Sequence, residues 1–328
     1  MKKLFTPILL LATSCTTWLC AQQTPQYSLY ALNPYALNPA YAGMENTLVA
    51  TGVYRQQWSN LKGAPQTQHL NMHMPLAMLS SGLGLKIEND IIGAHRTTQA
   101  LLSYSFHREL GRNAVLSAGI SGGYLQYSLD GDKLRAPDGI YGSQDPFLHN
   151  DPLLPEGRLQ VGTPVVEAGI FYQWKDLSIS IATQPVFAPV LEASQGAADF
   201  RLEPLRHFLA AASYRFEIGQ RLAIKPSVLM KTDLTETQTE ISTIIRWREN
   251  IFAGASLRGL GSSDRDAFVL LGGLRLNERT TLAYSFDIPL SSLELANRGS
   301  HELLLRYELN KPVGTGKLPP VIYNPRFF

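Results

Sequence analysis

Gly119-Ile120-Ser121-Gly122-Gly123 spells G-x-S-x-G, the pattern that can present a nucleophilic serine. That chemistry needs a sharp turn from strand into helix, with the hydroxyl raised at the apex. Here the five residues lie inside an extended run, Glu109 to Leu129, with strand-like residues on both sides. Ser121 therefore reads as a wall residue, not a nucleophile. His69, Asn71 and His73 share one face of a strand but are spread along its length. That arrangement suits a lining row better than an acid–base site. His107, His207 and His301 are dispersed, in or at the edge of other strands. The stretch 129–163 carries Asp130, Asp132, Asp138, Asp145 and Asp151. Carboxylates suit calcium, but this spacing matches no calcium loop. Asp-Gly and Pro-Asp-Gly pairs there are turn formers. No glycine-rich phosphate loop follows a strand and opens a helix. These residues predict no catalytic centre, no metal site and no cofactor.

Function must then come from the elements that carry these residues. The chain has 328 residues and opens MKKLFTPILLLATSCTTWLCAQQ. Lys2 and Lys3 precede the apolar run Leu4 to Ala12, and Leu19-Cys20-Ala21 offers a cleavage site, so residues 1–21 read as a signal peptide. Both cysteines, Cys15 and Cys20, fall within it, which leaves no disulfide or thiolate chemistry beyond it. Without Lys2 and Lys3 the 29 basic residues fall to 27, matching 27 acidic ones. A balanced chain gives no reason to expect a nucleic-acid partner. No later run reaches about 18 apolar residues, so no transmembrane helix is expected.

Fourteen strand-like segments are legible, at about 47–57, 66–75, 81–89, 95–108, 113–128, 164–174, 177–188, 205–218, 221–231, 237–248, 251–258, 266–276, 279–288 and 301–309. Thr239, Ile241, Thr243, Ile245 and Trp247 alternate with Glu240, Ser242, Arg246 and Arg248. His301, Leu303, Leu305 and Tyr307 alternate with Glu302, Arg306 and Glu308. The links 110–112, 175–176, 219–220, 249–250 and 277–278 are very short and all fall on one side. The long ones, 129–163, 189–204 and 289–300, fall on the other. Short periplasmic turns and long extracellular loops mark a membrane barrel. Backbone groups cannot stay unpaired in lipid, so a spanning sheet must close. The expected fold is all-β: a transmembrane antiparallel β-barrel of about fourteen strands over residues 47–309. Its greasy rows would face outer-membrane lipid and its polar rows a central space. Trp174, Trp247, Tyr214, Phe216 and Tyr307 are expected at one interface, and Tyr54, Trp58 and Tyr127 at the other. A soluble sandwich with a solvated face remains the competing fold, and a passive porin or solute transporter the competing function.

Two end segments narrow the reading. The early stretch QQTPQYSLYALNPYALNPAYAGMEN contains Asn38-Pro39-Ala40-Tyr41-Ala42-Gly43. Near the end stands Gly299-Ser300-His301-Glu302, and between them Gly82-Leu83-Gly84-Leu85, Asn89-Asp90 and Gly93. The tail finishes Asn324-Pro325-Arg326-Phe327-Phe328. Together these resemble the PorP/SprF family of outer-membrane proteins of the type IX secretion system in Bacteroidota. The resemblance spans essentially the whole chain beyond the signal peptide. It departs at Asn324, where the family often has cysteine.

The resemblance implies a non-enzymatic component that assists export of proteins carrying a C-terminal sorting domain, adhesins among them. It also implies contact with the periplasmic ring proteins of the machine. Residues 22–46 are expected to form a compact periplasmic segment. Pro34 and Pro39 bias Asn33 and Asn38 away from helix. Asn33, Pro34, Asn38, Pro39, Tyr41 and Gly43 are thus candidates to plug or brace the periplasmic mouth. The proline-broken tail, residues 310–328, is the candidate partner-docking element through Asn324, Pro325, Arg326, Phe327 and Phe328. Asp138, Asp145, Phe147 and Asp151 are candidates for an extracellular lid or a contact with exported protein.

Overall fold

Alternation in these strands puts apolar side chains on one face and small or polar ones on the other, and the sheet resolves that conflict by closing on itself. The computed structural model describes residues 25–137, 139, 151–195, 198–248, 250–260, 265–290 and 298–309. The first seven strands are β1 (Val49–Gln56), β2 (Gln66–Leu76), β3 (Ser81–Ile92), β4 (His95–Glu109), β5 (Ala114–Asp130), β6 (Arg158–Trp174) and β7 (Leu177–Phe187). Next comes a hairpin of β8 (Leu191–Gln195) and β9 (Ala198–Leu202). Then follow β10 (His207–Tyr214), β11 (Phe216–Ile218), β12 (Leu222–Thr232), β13 (Thr237–Trp247), β14 (Ile251–Leu260), β15 (Ala267–Arg275), β16 (Thr280–Pro289) and β17 (Ser300–Glu308).

Neighbours in sequence pair antiparallel, and β1 pairs with β17 from Val49↔Glu308 to Gln56↔His301. On the far side β10 pairs with both β7 and β12. β11 resumes the β10 strand after Arg215 and also pairs with β12. Among the described residues the ring therefore closes as a fourteen-stranded antiparallel barrel. None of the described helices is long and apolar enough to cross a membrane. Closure removes the open edges that a sheet cannot expose to lipid.

The burial pattern is inverted relative to a soluble core. Ile120 is 53 % exposed while its neighbour Ser121 is 2 % exposed. Leu102, Tyr104, Phe106, Ile170, Ile181, Ile241 and Leu305 also face outward. Arg55, Lys86, Glu88, Glu167, Glu240, Arg258, Glu302 and Arg306 are buried inside. Such an arrangement is stable only where the outer solvent is hydrocarbon.

The turn at one end of the barrel is very short between β6 and β7 and between β11 and β12, where Gly219 takes φ 63°. The opposite end holds the long connections, but β5 and β6 extend to Asp130 and Arg158 and shorten the expected 129–163 loop. The connection expected as a long loop over 189–204 contains the β8–β9 hairpin instead. Trp174, Trp247, Tyr214, Phe216, Tyr307, Tyr54 and Trp58 are exposed, as interface residues should be. Tyr127 is not: it is 3 % exposed and points inward, on the same parity as Ser117 and Ser121. There it stacks on Phe200 of the hairpin, with ring centroids 5.1 Å apart.

Placing a charge on the outer wall should expose this arrangement. Ile120→Arg is expected to destabilise the barrel by about 2–4 kcal/mol, the cost of a cation near the bilayer midplane. Denaturant titration of the protein folded into phospholipid vesicles measures it. An unchanged midpoint would mean that this face does not meet lipid.

Candidate functional site

Tyr-Ala-Leu-Asn-Pro-Tyr-Ala-Leu-Asn-Pro-Ala-Tyr, residues 30–41, has too few residues between prolines for a long helix. It forms three single turns: a 3-10 turn at Tyr30–Leu32, an α-turn at Pro34–Leu37 and a 3-10 turn at Pro39–Tyr41. Pro34 and Pro39 each open a turn, where a missing N–H costs nothing. Asn38 is extended at φ −149° and its Oδ1 accepts from Ala40 N at 2.8 Å, capping the last turn. This compact ribbon runs inside the barrel. It starts near the long-loop end, where Gln26 Nε2 donates to Gln238, and descends to Val49 at the short-turn end.

Two ionic clusters fasten it. In the upper one, Arg55 reaches Asp287 at 2.6 Å and Glu302 at 3.0 Å, and Arg258 reaches Asp287 at 3.0 Å and Glu240 at 2.7 Å. Ser28 closes the cluster. Its backbone N donates to Glu302 at 2.7 Å and its Oγ to Asp287 at 2.7 Å. In the lower cluster Arg306 pairs with Glu45 and, at 2.9 Å, with Glu308. Arg306 also donates to the Leu32 carbonyl at 3.2 Å. These side chains are almost wholly buried, so each charge depends on its partner.

Between the clusters the ribbon is held by neutral bonds. Tyr30 Oη contacts Ser227 and accepts from Ser242, Tyr35 Oη contacts Ser103 at 2.7 Å, and Asn71 donates to Asn33 at 2.9 Å. Asn38 Nδ2 donates to the Ile170 carbonyl at 2.9 Å and to Ser180 at 2.8 Å. Ser117 donates to the Ala40 carbonyl, and Ser105 to the Ala42 carbonyl, each at 2.6 Å. Glycines let the two backbones meet. Gly43 has φ 70°, and a Cβ on it would lie 2.6 Å from the Gly82 Cα. A Cβ on Gly119 would run into the Ala40 backbone. Leu29, Tyr30 and Leu32 pack against inward Val53, Ile244, Phe252, Leu271 and Leu304. Tyr41 packs edge-on against Phe171 at 5.0 Å.

Burial pushes the Tyr30 phenol up to about 12, with Glu240 adding to it. Tyr27 is raised by burial and by Glu88, and Tyr35 by burial. All three stay protonated and can donate.

Asn33, Pro34, Asn38, Pro39, Tyr41 and Gly43 thus all lie within the lumen, on one continuous ribbon. Asp151 sits at a turn in which its Oδ1 accepts from Leu153 N at 2.9 Å. Asp138, Asp145, Phe147, Asn324, Pro325, Arg326, Phe327 and Phe328 lie outside the described residues, as do the expected signal peptide and the 310–328 tail. The structure gives the histidines a structural part. His69 bonds Glu88 at 3.0 Å beneath Tyr27, His73 accepts from Gly43 N at 3.3 Å, and His107 Nε2 meets the Ala42 carbonyl at 2.9 Å. Ser121 Oγ contacts Ser103 Oγ at 2.7 Å in mid-strand. No group of three or more metal-ligating side chains occurs among the described residues. The anchoring charges Glu45, Arg55, Arg258 and Asp287 were not singled out from sequence. Glu302 and Arg306 showed themselves only as members of a polar row, and the Glu302 of Gly-Ser-His-Glu is the one with a motif behind it.

A closed fourteen-stranded barrel with a lipid-facing outside and an internally anchored amino-terminal ribbon defines an outer-membrane β-barrel protein. The chain belongs to the family described as type IX secretion system membrane protein PorP/SprF, which it matches over residues 19–307. It is accordingly a non-enzymatic outer-membrane component of that system. No curated protein matches the sequence. Among solved structures it is similar in fold to the Ralstonia pickettii toluene transporter TbuX, at 10 % identity and a TM-score of 0.50, over 83 % of this chain and 92 % of that one. It is also similar to the Acinetobacter baumannii outer membrane protein Omp33, at 10 % identity and a TM-score of 0.45, over 81 % of this chain and 100 % of that one. At such identities the likeness concerns fold alone.

Two outcomes follow from the anchoring. Arg306→Met leaves Glu45 buried without its cation and Glu308 with only Arg275, 4.0 Å away, a loss of about 3–5 kcal/mol. Limited proteolysis should then cut within residues 25–48, which stay protected in the parent protein; equal protection would contradict the ionic anchor. The raised Tyr30 phenol gives a pH dependence. Its contribution to seating is complete below the ordinary tyrosine value of 10.0 and is lost as pH rises through about 12. Tyrosinate absorbance should show a late step in that window, coincident with release of the ribbon. A single early step would exclude it.

Proposed function

We propose that this barrel is a sealed attachment component of the type IX system: it holds exported proteins with a C-terminal sorting domain at the outer membrane and touches the periplasmic ring proteins from below. Membership of the family supports the system, and one observation supports the attachment role. Residues 25–48 of the chain itself run through the lumen, bonded to the wall from Gln238 down to Arg306. A barrel so occupied offers surfaces rather than a conduit. In this reading Asn33, Pro34, Asn38, Pro39, Tyr41 and Gly43 seal and brace the periplasmic half. Asp138, Asp145, Phe147 and Asp151 meet exported protein on the outer side. The tail, through Asn324, Pro325, Arg326, Phe327 and Phe328, docks on the ring.

Planar-bilayer recording separates this from a passive porin. The intact protein should show no steady conductance, whereas deletion of residues 25–46 should open it. A steady open pore in the intact protein would favour the porin. Deleting residues 311–328 should abolish co-purification of the ring proteins while a sorting-domain fusion is still retained. Undiminished ring recovery would remove the tail from the proposal.

A further inference from the structure

Above the ribbon the barrel keeps a chamber of about 350 Å³, towards the long-loop end. Its size falls near the lower end of small-ligand sites, about 300–1,000 Å³. Three kinds of lining meet there. Leu125, Val165, Leu205, Leu209 and Leu229 form an apolar wall. Glu88 and Asp90 of β3 face Lys231 of β12 across the space. Gln26, Gln99, Gln184 and Gln238 add carboxamides, each of which already spends an Nε2 hydrogen inside the protein, on Gln238, Glu88, the Leu37 carbonyl and Asp266 in turn. Tyr127 also lines the chamber, and Phe200 of the β8–β9 hairpin stacks on it, so the hairpin bears on the chamber wall.

We propose that this chamber is a binding site for a short extended peptide with apolar side chains, one charged end meeting Lys231 or the Glu88–Asp90 pair. The reasoning is by complementarity. A hydrocarbon would cover the leucines but displace water from Glu88, Asp90 and Lys231 without replacing it by any polar group. A sugar would satisfy the amides and waste the apolar wall. A peptide end brings main-chain amides, a charge and apolar side chains in one molecule. Aligned opposite charges also fix the direction in which it enters. The site goes beyond the secretion reading and does not depend on it.

The test titrates Ala-Leu-Leu, with free ends, into the detergent-folded full chain by calorimetry. Saturable binding is expected, weakened about tenfold by Lys231→Gln or by Asp90→Asn, one charge-assisted bond in each case. Acetylating the amine or amidating the carboxylate identifies the end that is held. Folding of each variant is read from heat-dependent gel mobility, and the two variants lie on different strands, so loss of one leaves the other informative. Fusing the same sequence to a folded carrier separates a free peptide from a chain end, and binding in either form agrees with the site. Absence of saturable heat overturns the proposal. So does binding that neither variant alters, or octanoate binding with the same sensitivity to both variants.

Discussion

Arginine side chains inside a barrel wall have to be neutralised where they stand, and that requirement organises this protein. Arg55, Arg258 and Arg306 are each at most 3 % exposed. A guanidinium so buried is tolerable only with carboxylates in hydrogen-bonding geometry. The wall supplies Glu240, Asp287, Glu302 and Glu308, and the amino-terminal ribbon supplies Glu45 together with the Ser28 donors and the Leu32 carbonyl. Ribbon and wall therefore complete each other's electrostatics. Neither is a finished structure alone.

The two sides of the barrel meet the ribbon by different means. Against β13 to β17 and β1 the ribbon is fixed by ion pairs and by packing on Phe252, Leu271 and Leu304. Against β3 to β6 it lies over Gly82, Ser105, Ser117 and Gly119, where its backbone comes close enough for its carbonyls to accept from serine hydroxyls. Strand glycine costs local stability, since it packs nothing. Here that cost permits a main-chain contact that a side chain would block. The Asn-Pro-Ala-Tyr-Ala-Gly stretch is shaped for this surface: Asn38 caps a turn and bonds β6, Tyr41 fills the space at Phe171, and Gly43 lies on Gly82.

Much of this was legible in the sequence, because strand period and link length are local properties. All fourteen wall strands and the inward and outward rows follow from alternation, and Ser121 was readable as mid-strand from its flanks alone. The course of residues 25–48 was not. Prolines at 34 and 39 announce a broken ribbon, but nothing local says whether it lies below the barrel or climbs within it. The deciding contacts join Ser28 to Glu302 and Glu45 to Arg306, more than 200 residues apart in sequence, and no periodicity reports them. Tyr127 failed for a related reason. An aromatic near a strand end reads as an interface residue, yet parity with Ser121 already placed it inside, and Phe200 of an unforeseen hairpin supplies its partner. The β8–β9 hairpin itself is short, and Ala193 and Ala198 give it little alternation to detect.

The same anchoring constrains any movement of the ribbon. Its carboxyl-terminal end continues into β1 after only a few residues, so the local concentration of Glu45 beside Arg306 is always high. Its other end is held by Arg55 and Arg258 through Ser28. Releasing the lower end alone takes Glu45 from buried Arg306, whereas releasing the upper end removes the Ser28 hydrogen bonds from a cluster whose ion pairs all lie within the wall. The two ends therefore differ in cost: the lower loses a buried counter-charge and the upper a set of hydrogen bonds. A process that drew the ribbon out would have to supply a carboxylate to Arg306 and hydrogen-bond donors to Glu302 and Asp287, groups that an extended polypeptide bearing acidic and polar side chains offers together.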